Sequence, residues 1–303
     1  MKTTIIGSGA MGCLFGGLLT EAGYDVSLLD VRPEHVEKLL KNGLSISRSS
    51  SERKIRVKAF TNPDEIDPAE LIIIFVKHAH TAEAGRTSLK LAGVNSVVLT
   101  LQNGMGNAEI LAEILGEDRV ICGTTAQGAM LTAPGRIQHS GEGPTIIGTW
   151  NRSDHPVIRT IADLLNDADI ETQVANDIGP IIWNKLLVNV GINAITALTG
   201  IKNGQLLELD ATRSLVAAAI NEAATVARTL GIALAENHVE NVFAIAKATG
   251  PNRSSMGQDV DARRPTEINA INGYIVQQAA NFCIAVPVNR TLTDLILTLQ
   301  GHY

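Results

Sequence analysis

The first half of the chain alternates short aliphatic runs with stretches whose apolar positions recur at helical spacing, a pattern that predicts βαβ units on a parallel sheet. Strands are expected at Thr3–Ile6, Asp25–Asp30, Leu71–Lys77, Ser96–Gln102 and Arg119–Thr124. Helices are expected between them at Ala10–Glu21, Pro33–Asn42, Thr81–Leu91 and Gly106–Leu115, with Gly23, Gly43, Gly93 and Gly116 as their C-terminal stops. Arg136–Ser140 and Thr145–Gly148 read as a hairpin around Gly141–Pro144, followed by a helix at His155–Asn166 and a strand near Glu171–Val174. From Asp177 the strand signals vanish. Ala- and Leu-rich segments at Asp177–Leu198, Asp210–Leu230, Ala235–Ala248, Pro265–Phe282 and Asn289–Leu299 predict helices throughout. The expected architecture is α/β, a doubly wound parallel sheet over residues 1–176 and an all-α C-terminal domain over residues 177–303. No Gly/Ser- or Pro-rich linker separates them, so close packing around a small-molecule cleft is expected.

With 303 residues, 45% of them hydrophobic and 18% charged, the chain can bury two modest cores. Its net charge of -6 offers no footprint for nucleic acid or anionic lipid, so neither is an expected partner. The longest strongly apolar run is Leu71–Val76, too short for a membrane helix of ~20 residues, and no membrane segment is expected. The N-terminus runs directly into Ile5-Ile6-Gly7, which leaves no room for a signal peptide and points to a cytoplasmic location. Cys13, Cys122 and Cys283 stand apart among small or apolar residues and read as reduced packing residues. The histidines form no HxxxH or HExxH pattern, so no metal site is expected.

The chemistry begins at Gly7-Ser8-Gly9-Ala10-Met11-Gly12, which follows the first strand and opens the first helix. In that context a GxGxxG run is a dinucleotide fingerprint of the Rossmann type. Gly7 permits the tight turn, Gly9 lets the pyrophosphate approach, Gly12 lets helix and strand pack, and the helix N-terminus supplies free N–H groups. Asp30 lies eighteen positions after Gly12, where a carboxylate would bind the adenosine ribose 2'-hydroxyl and repel a 2'-phosphate. NAD is therefore expected over NADP. Arg32 is either a phosphate partner that would reverse this preference or a solvated loop charge.

Polar residues on apolar helices add a second set. Ile178, Ile181, Ile182, Lys185, Asn189, Ile192 and Asn193 share one face, while Trp183, Leu186, Leu187, Val188, Val190 and Ile195 make the remaining faces apolar too. Lys185, Asn189 and Asn193 thus need partners or a ligand. A snorkelling or salt-bridged lysine and backbone-capping asparagines are the alternatives. Glu267 is expected in the first turn of a helix opened by Pro265, either as a dipole partner or as a site residue. Asn252-Arg253-Ser254-Ser255-Met256 reads as a polar loop or helix cap.

Taken with Val76-Lys77, Gln102-Asn103-Gly104-Met105-Gly106, Trp183-Asn184-Lys185-Leu186, Ser254-Ser255-Met256 and Pro265-Thr266-Glu267-Ile268-Asn269-Ala270-Ile271-Asn272-Gly273, these motifs resemble, in order, those of the ketopantoate reductases. The resemblance implies NADP- or NAD-dependent reduction of 2-dehydropantoate to (R)-pantoate in pantothenate and coenzyme A biosynthesis. It implies that Lys185 is the proton donor, that Asn103 sits where nicotinamide and substrate meet, and that Lys77, Ala129 and Glu267 approach the cofactor. It also implies that Asn189, Asn193, Asn203, Asn252 and Ser255 hold the substrate. Family members that use NADPH usually carry a basic residue directly after the second strand, where this chain has Asp30-Val31-Arg32. Two other readings stand beside this one: reduction of another hydroxylated or branched 2-keto acid, and non-catalytic sensing of NAD(H). The apolar helices of the second half suit a monomer or a homodimer equally.

Overall fold

A computed structural model describes residues 1–48, 51–151 and 155–303. It divides into two compact units, residues 1–102 with 107–178 and residues 103–106 with 179–303.

The first unit contains β1 (Thr3–Ile6), α1 (Ala10–Glu21), β2 (Val26–Leu29), α2 (Pro33–Asn42), β3 (Leu44–Arg48), β4 (Ser51–Ile55), β5 (Lys58–Phe60), β6 (Ala69–Ile74), α3 (Thr81–Leu91), β7 (Ala92–Thr100), α4 (Asn107–Leu115), β8 (Val120–Thr125), β9 (Gly128–Ala133), β10 (Arg136–Gly141), β11 (Thr145–Thr149), α5 (Val157–Asp167) and β12 (Thr172–Val174). Eight strands form one sheet in the order β12-β11-β8-β7-β6-β1-β2-β5, parallel except where β11 runs against β8. The chain winds from β1 out to β5 on one side and from β6 onward on the other. The strand order therefore switches beside β1, where ligands bind in open parallel sheets. Its central strands are apolar on both faces, and Leu71, Ile72, Ile73 and Ile74 of β6 are all fully buried.

A second sheet of order β4-β3-β10-β9 packs over α1, with Ile46 and Leu44 reaching Gly17 of that helix. This sheet corrects the expected hairpin. Arg136–Gly141 pairs with β9 and with β3, whereas Thr145–Thr149 pairs with β8 and β12 in the main sheet, so the two segments never face each other. Gly93 is also corrected. It lies within β7 and stops no helix, while Gly23, Gly43 and Gly116 have the left-handed φ values of 91°, 74° and 90° that end helices.

The second unit is helical: α6 (Gly179–Thr199), α7 (Asp210–Thr229), α8 (His238–Ala248), α9 (Ser255–Asp261), α10 (Asn272–Asn281) and α11 (Pro287–Gln300). Helix α6 is long and apolar enough to cross a membrane, with a mean hydropathy of 1.4, although the sequence reading expected no such segment. It is the core helix of this unit, packed by α7, α8, α9 and α11 around buried Trp183, Leu186, Leu187, Val190, Ile192 and Ile195. Each such burial is worth ~1.5–3 kcal/mol. The single helix expected at Pro265–Phe282 is broken. A 3-10 turn at Ile268–Ala270 ends at Ile271, whose ψ of -98° leaves the helical region, before α10 begins. Cys283 is exposed beyond the end of α10 rather than packed, in contrast to buried Cys13 and Cys122.

The β1–α1 turn leaves no room for a side chain at Gly12, where an added Cβ would lie 2.1 Å from the carbonyl oxygen of Gly7. Gly12→Ala must shift backbone and is expected to lower unfolding free energy by ~1–3 kcal/mol in urea titrations. A variant as stable as the parent would show that the turn relaxes freely.

Candidate active site

The first unit gathers the glycine turn, Asp30 and Arg32 at the ends of β1 and β2. Gly7 adopts φ 93° directly against β6's extension, its missing Cβ standing 2.8 Å from the Val76 amide nitrogen, which places Lys77 next to the turn. Gly9 is the N-cap of α1 with no capping side chain, no acidic residue occupies the first turn, and a Cβ at Gly9 would meet nothing within 4 Å. Uncapped amide N–H groups at an open helix N-terminus are what a pyrophosphate requires, so the residues present fit a dinucleotide. Ala10 and Met11 begin that helix.

Asp30 is almost fully buried and richly bonded. Its carboxylate accepts from the Ser8 hydroxyl at 3.1 Å, the Arg32 amide at 3.1 Å, and Arg32 Nε and Nη2 at 2.7 and 2.8 Å. Burial pushes its pKa up, but the Arg32 guanidinium outweighs this and holds the carboxyl below its ordinary value. Arg32 is thus no free loop charge: it lies in a two-pronged pair with Asp30 while nearly half its side chain faces solvent. Sequence reasoning missed the support behind this pair. Buried His35 accepts the Gly135 amide on Nδ1 at 3.3 Å, and its Nε2 stands 3.6 Å from Cys13 Sγ. Burial pushes the Cys13 thiol up to about 12, so it stays protonated and bonds the Ser8 carbonyl at 3.1 Å. Ala129 lies on β9 in the second sheet, opposite His139, and packs against this unit's core.

The second unit holds the polar residues of α6. Burial lowers the Lys185 ammonium from its ordinary 10.5 to about 8, against the opposing pull of the Glu267 carboxylate. Glu267 does not occupy a first helical turn, as expected, but precedes the 3-10 turn as its N-cap without a side-chain capping bond. Asn103–Gly106 joins the same neighbourhood, for the Met105 amide donates to the Ala270 carbonyl at 2.8 Å and Met105 is buried in the helical core. Gly104, at φ 79°, has no space for a Cβ because Ala270 O would stand 2.5 Å away. Asn103 is therefore carried on a loop fastened three residues from Glu267.

Along α6, Asn189 is half-buried and Asn193 is buried, with Asn193 Nδ2 at 3.5 Å from the Ser255 hydroxyl. Asn203 donates its amide N–H to the Asn252 carbonyl at 3.0 Å and its Nδ2 to Thr249 at 3.0 Å, while its buried Oδ1 has no hydrogen-bond partner. Asn252 itself is exposed. The helix-cap reading of residues 252–256 holds for Ser254, whereas its partner Thr196 was not singled out from sequence. Thr196 and Ser254 hydroxyls bond at 2.7 Å, Ser254 caps α9 through Gly257, and Arg253 grips Asp261 with two bonds of 2.8 Å while donating to the Ile201 carbonyl. Thr196 extends the Lys185–Asn189–Asn193 face by one further turn, a spacing that could have marked it in the sequence.

A glycine cradle for a dinucleotide, together with a half-buried lysine of lowered pKa beside a carboxylate, defines the class as nicotinamide-dependent oxidoreductases. Comparisons with known proteins agree. Residues 3–152 match the family pattern Ketopantoate reductase PanE/ApbA, and residues 177–300 match Ketopantoate reductase PanE/ApbA C terminal. The 2-dehydropantoate 2-reductase of Pyrococcus abyssi is 38% identical over 296 residues, covering 98% of this chain and 97% of that protein. Its counterpart from Halobacterium salinarum is 36% identical over 301 residues, covering 99% of each. Among solved structures, a PanE/ApbA family ketopantoate reductase from Ralstonia eutropha has a TM-score of 0.92 at 28% identity, covering 100% and 99% of the two chains. D-mandelate dehydrogenase with NADH and anilino(oxo)acetate has a TM-score of 0.94 at 27% identity with the same coverage. The chain belongs to the ketopantoate reductase family.

Direct titration of Lys185, by NMR of the isotopically dimethylated amine, is expected to give a midpoint near 8. Glu267→Gln removes the charge that opposes burial, so its midpoint is expected to fall further. An ordinary lysine value, or a midpoint unmoved by the substitution, would contradict this electrostatic picture.

Proposed function

We propose that this protein reduces 2-dehydropantoate to (R)-pantoate, with NADH preferred as the hydride source. The observation that carries the reading is Lys185, held near pKa 8 on an otherwise apolar core helix beside Glu267, with Asn189 and Asn193 on the same face. When bound, a reduced nicotinamide would supply the hydride for the substrate's carbonyl carbon. As that bond forms, negative charge grows on the carbonyl oxygen, and Lys185 Nζ gives it a proton. The reduction consumes one hydride and this one proton; Lys185 is recharged from solvent. Glu267 keeps the lysine protonated near neutral pH, and Asn103 orients the reacting groups from its loop.

The substrate has a carboxylate and a hydroxyl to hold. Ser255 and Asn193 suit the carboxylate, while the unpartnered Oδ1 of Asn203 supports a role as acceptor for the hydroxyl. Asn189 and Asn252 complete this set through the family resemblance. Asp30 supports NADH: its carboxylate stays charged where the ribose 2'-hydroxyl would lie, and Arg32 is committed to it. Lys77, Ala129 and Glu267 are assigned to the cofactor on the same resemblance. The NADH-bound D-mandelate dehydrogenase supports a second reading, reduction of a different 2-oxo acid on the same scaffold.

Initial-rate oxidation of NADH and of NADPH with 2-dehydropantoate tests both choices. Turnover is expected with a higher specificity constant for NADH, and Lys185→Ala is expected to lower kcat by ~10²–10⁴-fold with cofactor affinity largely kept. Turnover only with another 2-oxo acid would favour the second reading, and an unchanged kcat in Lys185→Ala would remove that residue from the mechanism.

A further inference from the structure

The loop that carries Asn103 leaves the first unit after Gln102 and returns to it at Asn107. Both flanking side chains converge on one buried hydroxyl. Gln102 Nε2 donates to Thr81 Oγ1 at 2.9 Å, and Thr81 Oγ1 donates to Asn107 Oδ1 at 2.8 Å. Thr81 is fully buried at the start of α3, and Asn107 is buried at the start of α4. The remaining capacity of these groups ties the clasp to its surroundings. Gln102 Nε2 also donates to the Val76 carbonyl at 2.7 Å, Gln102 Oε1 accepts from Thr100 at 2.9 Å, and His78 Nδ1 donates to Asn107 Oδ1 at 2.8 Å. The last direction follows because Asn107 Oδ1 can only accept.

We propose that Thr81 is a positioning residue for the reaction, closing the base of the Asn103–Gly106 loop through hydrogen bonds to the residues on either side of it. Gly104 and Gly106 have φ values of 79° and 88°, so the loop backbone has glycine's wide conformational freedom and needs an external constraint to adopt one shape. The tip has such a constraint in the Met105–Ala270 bond; the base has Thr81. A hydroxyl at this position both accepts and donates, which lets one side chain join two amides. Valine keeps the shape of threonine but leaves Gln102 Nε2 and Asn107 Oδ1 each short of one buried partner. Loosening the base should blur the placement of Asn103 while leaving the glycine cradle and Lys185 unchanged.

The role in catalysis rests on the proposed reductase reading, so the test has one readout that depends on turnover and one that does not. Hydrogen exchange at the Met105 amide, which is bonded in the native loop, is expected to accelerate at least tenfold in Thr81→Val and return towards the parent rate in Thr81→Ser. With 2-dehydropantoate and NADH, Thr81→Val is expected to lose about tenfold in kcat with KM for the keto acid little changed. The isotope effect from 4-deuterated NADH should rise as hydride transfer becomes more limiting. Should the valine variant fail to fold, Asn107→Ala breaks the same bond from its other partner and is expected to behave alike. Parent-like exchange at Met105 in the folded variants would overturn the clasp whatever the substrate. Faster exchange with parent-like kcat and isotope effect would overturn its role in positioning. A parent enzyme inactive on 2-dehydropantoate but with the expected exchange pattern would overturn the substrate reading and leave the loop clasp supported.

Discussion

Holding an ammonium group inside an apolar helix is the constraint on which the second unit is built. Helix α6 buries Trp183, Leu186, Leu187, Val190 and Ile195, and the same packing that stabilises the unit strips water from Lys185. Burial holds its pKa well below the usual lysine value, and the carboxylate of Glu267 limits how far it falls. Glu267 directly precedes a 3-10 turn, where the helix expected over this segment breaks at Ile271. The Ala270 carbonyl at this break receives the Met105 amide, so the irregular backbone seats the loop bearing Asn103.

The first unit solves a different electrostatic problem with the same means. A dinucleotide needs free backbone N–H groups and a hydroxyl acceptor, and the β1–α1 turn offers an uncapped helix start beside the buried Asp30 carboxylate. That carboxylate is kept charged by Arg32, while Ser8 links it back to the glycine turn. In the proposed reaction, binding the two-electron donor and supplying the proton fall to separate units, each with its own core.

The parts legible in the sequence were those where a local rule acts alone. Aliphatic runs marked β1, β2, β6, β7 and β8, and the glycine motif marked the turn, because burial on both faces and steric need for glycine leave plain traces. A lysine and two asparagines on an apolar helix stood out for the same reason. Pairing was less legible: Arg136–Gly141 and Thr145–Thr149 are strands close in sequence, but a hairpin expectation ignores that Ile137 and Ile46 both need the surface of α1. The short strands of residues 44–60 and 128–133 were missed because they are half-exposed and rich in serine, charge or small residues, which gives little periodic signal. The break before Asn272 was hidden by apolar residues at helical spacing on both sides of it. Asn103 had no local signal at all; only the family resemblance singled it out, since the bond from Met105 of its loop to Ala270 links positions far apart in the chain.

If Lys185 passes the proton that accompanies hydride transfer, as proposed, the pH dependence of the reaction in both directions will carry its titration. Reduction needs Lys185 protonated, so its kcat/KM should fall as pH rises through about 8, whereas oxidation of pantoate needs the neutral amine and should rise through the same pH. Mirror-image limbs near 8, both moved to lower pH by Glu267→Gln, are the predicted result. Limbs that run in the same direction, or that persist unchanged in Lys185→Ala, would assign the proton to another group.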